Sequence, residues 1–214
     1  MVWGAQRQNE LSSAPAKNTF SKFNISLKHS RAVPVGGYNL QLNLRARAQL
    51  ASTRLLSQEQ SFLGGMDSVR GYPSGDYLAD NSIETSAELL MPALFIPEAI
   101  KLPYEQRSIR DNTNALIFYD YAWGKCRFPV DGVKSTANLA GIGFGVRTKL
   151  YNQAFLRLEW GFPIRDKTRT EAGHSRFHIS IDFLDQFQKE GKRISSDIQK
   201  QKAEQENRPF LNKI

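Results

Sequence analysis

The sequence predicts an all-β protein, the wall of an antiparallel transmembrane β-barrel. Three observations carry that expectation. Apolar and polar residues alternate through a series of separate stretches, and successive side chains of a strand point to opposite faces. The longest stretch runs past a dozen residues, more than the usual ~5–6 of a soluble sheet and enough for a tilted strand, which crosses a bilayer in about 9–11. A glycine-rich segment, Gly64-Gly65-Met66-Asp67-Ser68-Val69-Arg70-Gly71-Tyr72, lies in a long connection between two of these stretches.

Taken in order, residues 20–31 set Phe23, Ile25 and Leu27 against Asn24, Ser26 and Lys28. Residues 38–50 are the clearest: Tyr38, Leu40, Leu42, Leu44, Ala46, Ala48 and Leu50 alternate with Asn39, Gln41, Asn43, Arg45, Arg47 and Gln49. In 82–92, Ile83, Thr85, Ala87, Leu89 and Met91 oppose Glu84, Ser86 and Glu88. Residues 114–123 are less clean, with apolar residues on both faces and Asp120 among them. In 140–150, Ile142, Phe144, Val146 and Leu150 oppose Gly141, Gly143, Gly145 and Arg147. In 153–163, Ala154, Leu156, Leu158, Trp160 and Phe162 oppose Arg157 and Glu159. In 176–183, Phe177, Ile179, Ile181 and Phe183 oppose Arg176, His178, Ser180 and Asp182.

The connections follow a rule of membrane barrels, short turns on one side and long loops on the other. Val33–Gly37 and Tyr151–Asn152 are short, while 52–81, 124–138 and 164–175 are long and fall on one side. The segment 94–113 is long but belongs to the turn side, where Pro97 and Pro103 mark an irregular turn. The chain therefore divides into a barrel part, residues 1–183, and a charged, Gln-rich tail, 184–214, with weak helical character around Ser195–Glu206.

Composition excludes several classes. The chain has 214 residues, 40% of them hydrophobic, and a mean hydropathy of −0.47. No run approaches the ~20 apolar residues of a spanning helix, whereas alternating strands average out in hydropathy. The net charge of +8 invites a nucleic-acid partner, but the basic residues are scattered and form no recognition motif, so none is expected. The single cysteine, Cys126, cannot form an intrachain disulfide. Met1 is followed by Val-Trp-Gly-Ala-Gln-Arg, with no apolar signal core; an exported protein that starts so is expected to lack its N-terminal part.

No enzyme chemistry is expected. Gly141-x-Gly143-x-Gly145 has the wrong spacing for a dinucleotide loop and sits within a strand; glycines on one face make room for something packed inside. His29, His174 and His178 stand at no metal-ligand spacing, and no Gly-x-Ser-x-Gly elbow is present. Neither a metal nor a cofactor is predicted. Arg70 is the residue that demands a partner, because a charge buried in a barrel is costly unless paired. Strand parity turns Glu84, Glu88 and Asp120 inward, and leaves Tyr119, Tyr121 and Trp123 outward, where aromatics suit a membrane interface.

These segments resemble one family. Leu55 to Gly65, the tip Val69-Arg70-Gly71-Tyr72, the strand Glu84 to Pro92 and Phe118-Tyr119-Asp120-Tyr121 are similar to the two-partner secretion transporters of the hemolysin activator/secretion (ShlB/FhaC/HecB-like) family. The resemblance covers roughly residues 20–183. It implies a multi-pass barrel in the outer membrane of a Gram-negative cell, secreting a partner polypeptide (hemolysin or adhesin type) without ATP. It implies that Gly64, Gly65, Val69, Arg70, Gly71 and Tyr72 enter the lumen, with Arg70 paired to Asp120. Glu88 and Glu84 are further acidic candidates, and reversing both charges of the Arg70–Asp120 pair is expected to restore what either reversal alone loses. The full barrel of such proteins has sixteen strands behind two POTRA domains; this chain offers about seven or eight strands, the C-terminal half, and no POTRA segment. Half a barrel leaves two open edges. Phe183 takes the place of the terminal aromatic, with the tail beyond it. Outer-membrane lipids and the barrel-assembly machinery are the other implied partners. Three rivals stay open: an assembly insertase of the same superfamily, the barrel anchor of a patatin-type phospholipase, and a soluble β-sandwich.

Overall fold

The computed structural model describes residues 19–101, 108–129, 134–150, 154–165 and 174–183. The expected tail 184–214, the Tyr151–Asn152 turn and Pro103 lie outside the described residues. In chain order the strands are β1 (Lys22–Val35), β2 (Tyr38–Ala51), β3 (Ser61–Leu63), β4 (Tyr77–Ala79), β5 (Asn81–Pro92), β6 (Thr113–Lys125), β7 (Thr136–Leu150), β8 (Ala154–Pro163) and β9 (Arg176–Phe183). The wall is a seven-stranded sheet in the order β1-β2-β5-β6-β7-β8-β9, and β3 and β4 form a separate ribbon inside the connection 52–80. Every pairing is antiparallel. Among the described residues the sheet ends at β1 and β9 without closing on itself. None of the described residues forms a helix long and apolar enough to cross a membrane, which leaves crossing by strands untouched.

The strands form where the alternation predicts them; β2, β5, β6 and β7 run longer at their ends, while β8 and β9 do not. β1 and β2 have 14 residues each and β7 has 15. The β1–β2 turn shows why: Val35 pairs with Tyr38, so Gly36 and Gly37 alone make the connection, with φ of 57° and 83°. A two-residue hairpin of this type needs positive φ at both central positions, which glycine adopts without strain. The irregular connection after β5 ends in a 3₁₀ turn, Ile109–Asn112, whose first amides are capped by Ser108 Oγ through Arg110 N–H (3.2 Å).

The two faces of the wall are inverted relative to a water-soluble sheet. One face exposes Phe23, Ile25, Leu27, Leu44, Ile83, Ile117, Ile142, Phe144, Phe177, Ile179 and Ile181. Phe144, Trp160, Phe162 and Phe177 form a continuous aromatic cluster there, with ring centroids about 6 Å apart (5.9–6.3 Å). Among the described residues no second layer covers this face, as a β-sandwich would require. The opposite, inner face carries the polar residues, and the 52–80 connection folds onto it. Asp80, Asp120 and Glu159 have no exposed surface at all.

That loop explains the mixed pattern of β6. Leu116, Phe118 and Ala122 point to the inner face yet are buried. Phe118 and Leu116 pack with Leu90. Ala122 joins Leu139 and Ala137 of β7 and Leu63, Val69, Tyr72, Tyr77 and Ala79 of the loop in a small apolar core. Around Ala122, Ala137 and Leu139 the inner wall is apolar where the loop covers it.

Candidate functional site

The loop is fixed first at its root. Asp80 accepts from Leu55 N–H (2.8 Å) and Gln60 Nε2 (2.9 Å) through Oδ1, and from Arg127 N–H (2.8 Å) through Oδ2. A carboxylate binding three donors replaces water fully, which is how a buried acid is tolerated. Tyr77 Oη donates to the Lys134 carbonyl at 2.9 Å and accepts from Cys126 N–H at 3.3 Å. Burial, the largest influence, pushes its phenol up to about 12 against the opposing pull of that Cys126 bond.

From this root the chain runs to the tip. Gly64, Gly65 and Gly71 have φ of 98°, 94° and 101°. The turn closes through Gly65 N–H to the Val69 carbonyl (3.1 Å) and Ser68 N–H to the Gly65 carbonyl (3.2 Å). The tip then lies in a trough of missing side chains. A Cβ on Gly141 would strike the Arg70 carbonyl oxygen, and one on Gly161 would meet Gly71 N at 2.5 Å. Gly71 itself packs against the backbone of Phe162 and Pro163. The glycines on β7 make the expected room, and β8 adds Gly161. The Tyr72 hydroxyl reaches the carbonyls of Ala140 (3.2 Å) and Arg165 (2.5 Å), tying the tip to the ends of β7 and β8. Val69 sits wholly buried in the apolar core beneath.

Arg70 is 2% exposed. Its Nε donates to Asp120 Oδ2 (2.7 Å) and its Nη2 to Asp120 Oδ1 (2.8 Å), a two-pronged grip on one carboxylate. Its backbone N–H also donates to Asp120 Oδ2 (3.1 Å). Nη1 donates to Glu88 Oε1 (2.7 Å) and to Glu159 Oε2 (2.9 Å), and Nη2 is 3.3 Å from Ser86 Oγ. Ser86 Oγ in turn donates to Asp120 Oδ1 at 2.7 Å. The guanidinium stacks 3.5 Å above the Phe118 ring, an attraction that strengthens when water is excluded. Burial alone would pull the Arg70 guanidinium down; the bond to Asp120 and the charges of Asp120, Glu159 and Glu88 outweigh it and hold the group above its ordinary range.

The strand register builds this receptor. Ser86, Asp120 and Gly141 are direct neighbours across β5, β6 and β7, and Glu88, Phe118, Gly143 and Gly161 form the next inner row. Glu159 stands opposite Gly145. A second arginine completes the cluster. Arg147 donates Nε to Glu159 Oε1 (2.8 Å), Nη1 to Glu88 Oε2 (2.9 Å) and Nη2 to Glu88 Oε1 (2.7 Å). Arg157 Nε is 3.4 Å from Glu159 Oε1. Three cations (Arg70, Arg147, Arg157) thus face three carboxylates (Glu88, Asp120, Glu159), a net charge of zero.

Of the acidic candidates read from the sequence, Asp120 and Glu88 meet Arg70 and Glu84 does not. Glu84 lies four residues before Glu88 on β5, nearer the loop root, and pairs with Arg47 (2.7 Å), which also donates to the Asp67 carbonyl (2.6 Å). Glu159, Arg147 and Asp80 were not singled out by sequence. Parity placed Glu159 and Arg147 on the inner face, and the glycines opposite and beside them were the available signal.

Residues 1–148 match the family described as haemolysin secretion/activation protein ShlB/FhaC/HecB. Among solved structures, the chain is similar to CdiB from Escherichia coli (22% identity, TM-score 0.58, over 85% of this chain and 31% of that one). It is similar also to CdiB from Acinetobacter baumannii (22% identity, TM-score 0.57, over 80% of this chain and 27% of that one). The chain therefore spans less than a third of the length of these neighbours, and the likeness is one of fold. No curated protein matches the sequence significantly.

Proposed function

Because the chain belongs to the haemolysin secretion/activation family ShlB/FhaC/HecB, we propose that it forms one side of an outer-membrane pore that secretes a partner polypeptide by two-partner secretion. The membrane is the outer membrane of a Gram-negative cell, reached through the barrel-assembly machinery. The partner is a large secreted chain of the haemolysin or adhesin type. No catalytic step is involved. The transporter conducts passively, and the loop tip sets the shape of its lumen.

One observation carries this reading: a loop lies on the polar inner face of an inverted sheet with its arginine buried among acids of the wall. A loop serving only to connect strands has no need of such a receptor, because connections ordinarily run over the surface where water satisfies them. The apolar outer face faces lipid, so its exposed Ile, Phe and Trp side chains are solvated by acyl chains and not by water.

The test is secretion of the cognate partner by the full-length protein with Arg70→Ala. Heat-dependent gel migration, read in parallel, reports whether the barrel still inserts. Loss of secretion with retained insertion is expected. Unchanged secretion from an inserted variant would remove the tip from the transport mechanism.

A further inference from the structure

We propose that Arg147 is the release residue of this latch: a positioning residue on the wall that compensates Glu88 and Glu159 when Arg70 withdraws, and so permits the loop tip to leave. The proposal rests on the reading of the tip as the part that sets the shape of the lumen, and adds that the Arg70 contact opens and closes as a latch.

The argument is one of shared oxygens and charge. Arg147 belongs to β7 and stays with the wall; Arg70 belongs to the loop. Both grip the same two carboxylates. Glu88 Oε1 accepts from Arg70 Nη1 and from Arg147 Nη2, each at 2.7 Å. Glu159 receives Arg70 through Oε2 (2.9 Å) and Arg147 through Oε1 (2.8 Å). With the tip docked, three cations oppose three anions. With the tip withdrawn, Arg147 and Arg157 oppose Glu88, Asp120 and Glu159, which leaves −1 among the ion-paired groups, with Arg45 of β2 also within electrostatic reach of Asp120. Without Arg147 these groups would carry −2 on the withdrawn wall, at carboxylates that have no exposed surface while the tip is docked. Like charges crowded without a counter-charge repel one another, so the withdrawn state suffers more than the docked one, where Arg70 remains.

A residue that merely braces the receptor gives the opposite expectation: removing it should loosen the tip. The sign of the effect separates the two roles. Replacing Arg147 by a neutral side chain should hold Arg70 more tightly.

The measurement is hydrogen–deuterium exchange of the 64–72 tip in the full-length protein, comparing wild type, Arg147→Gln and Arg147→Lys. Tip opening slowed about tenfold or more is expected in the Gln variant, from one unit charge a few ångströms away. Lys restores the charge without the fork and should return exchange to near the wild-type rate. Faster or unchanged exchange in Arg147→Gln, or a Lys variant that behaves like Gln, would overturn the proposal. Secretion measured on these proteins and on Arg70→Ala keeps the two ideas apart. If secretion is indifferent to Arg70→Ala, the transport reading fails whatever the exchange shows; if only the exchange result fails, the role of Arg147 falls alone.

Discussion

Asp120→Asn isolates the charge at the centre of the receptor. Asparagine keeps the size of the side chain, so no cavity forms. What changes is that Asp120, with no exposed surface, accepts Arg70 Nε, Arg70 Nη2, Arg70 N–H and Ser86 Oγ within 2.7–3.1 Å. A neutral amide offers one acceptor oxygen and turns an NH₂ group toward donors. The cluster shifts from three against three to three cations against two anions. Breaking one side of a buried ion pair destabilises by about 3–5 kcal/mol, which lowers the docked-to-withdrawn ratio of the tip by about two to four orders of magnitude. Exchange at 64–72 should accelerate accordingly in the full-length protein, while protection of the β6–β7 pairing persists. Secretion of the partner should fall with it. A variant that inserts normally and shows wild-type tip exchange would refute the claim that Asp120 holds the loop.

Three further outcomes follow from the same geometry. Gly141→Ala places a methyl group on the Arg70 carbonyl, and overpacking of this kind costs about 1–3 kcal/mol; faster tip exchange and reduced secretion are expected, with heat-dependent migration unchanged. Tyr77 titrates above its ordinary value, to about 12, chiefly through burial; a raised folded pKa gives stability that is full below the unfolded value near 10 and is lost as pH climbs through about 12, so the β3–β4 ribbon should open in that window and Tyr77→Phe should abolish the dependence. Ile117→Arg puts a charge on the outer face, where Ile117 is 51% exposed; about 2–4 kcal/mol is expected near a bilayer midplane, seen as impaired insertion, whereas Gln41→Arg on the inner face should insert normally.

Strand positions were legible in the sequence because a period of two is a local signal: Leu40, Leu42 and Leu44 mark an outer face whatever surrounds them. Among the described residues the wall has seven strands, at the lower end of what the alternation suggested. β6 resisted, since Phe118 lies under Arg70 of a loop some fifty residues earlier in the chain, and no local pattern encodes that cover. The same limit applied to the site. Arg70 stood out through its glycine setting, and Asp120 through its motif. Glu159 is 89 residues from Arg70, and it becomes a partner only because Gly145 opposite lacks a side chain and the register brings β8 into line. Asp80 looks like an ordinary loop acid until Leu55, Gln60 and Arg127 converge on it.

Reciprocal charge reversal shows what that missing information changes. Two residues considered alone predict that Arg70→Asp combined with Asp120→Arg restores function. The structure predicts otherwise. The double change recovers the count of three against three but not the contacts, because Arg70 spends Nη1 on Glu88 and Glu159 while Nε and Nη2 hold Asp120. A short aspartate at position 70 leaves those two glutamates to Arg147 and Arg157 and brings another carboxylate toward them. A long arginine at position 120 must enter a space with no exposure, beside Gly141, whose vacancy the loop backbone already fills. Interaction energies within one network are not additive, so the double variant should secrete at a level nearer the single reversals than the wild type. Full restoration would mean that Arg70 and Asp120 act as an isolated pair, and that Glu88, Glu159 and Arg147 contribute nothing to the latch.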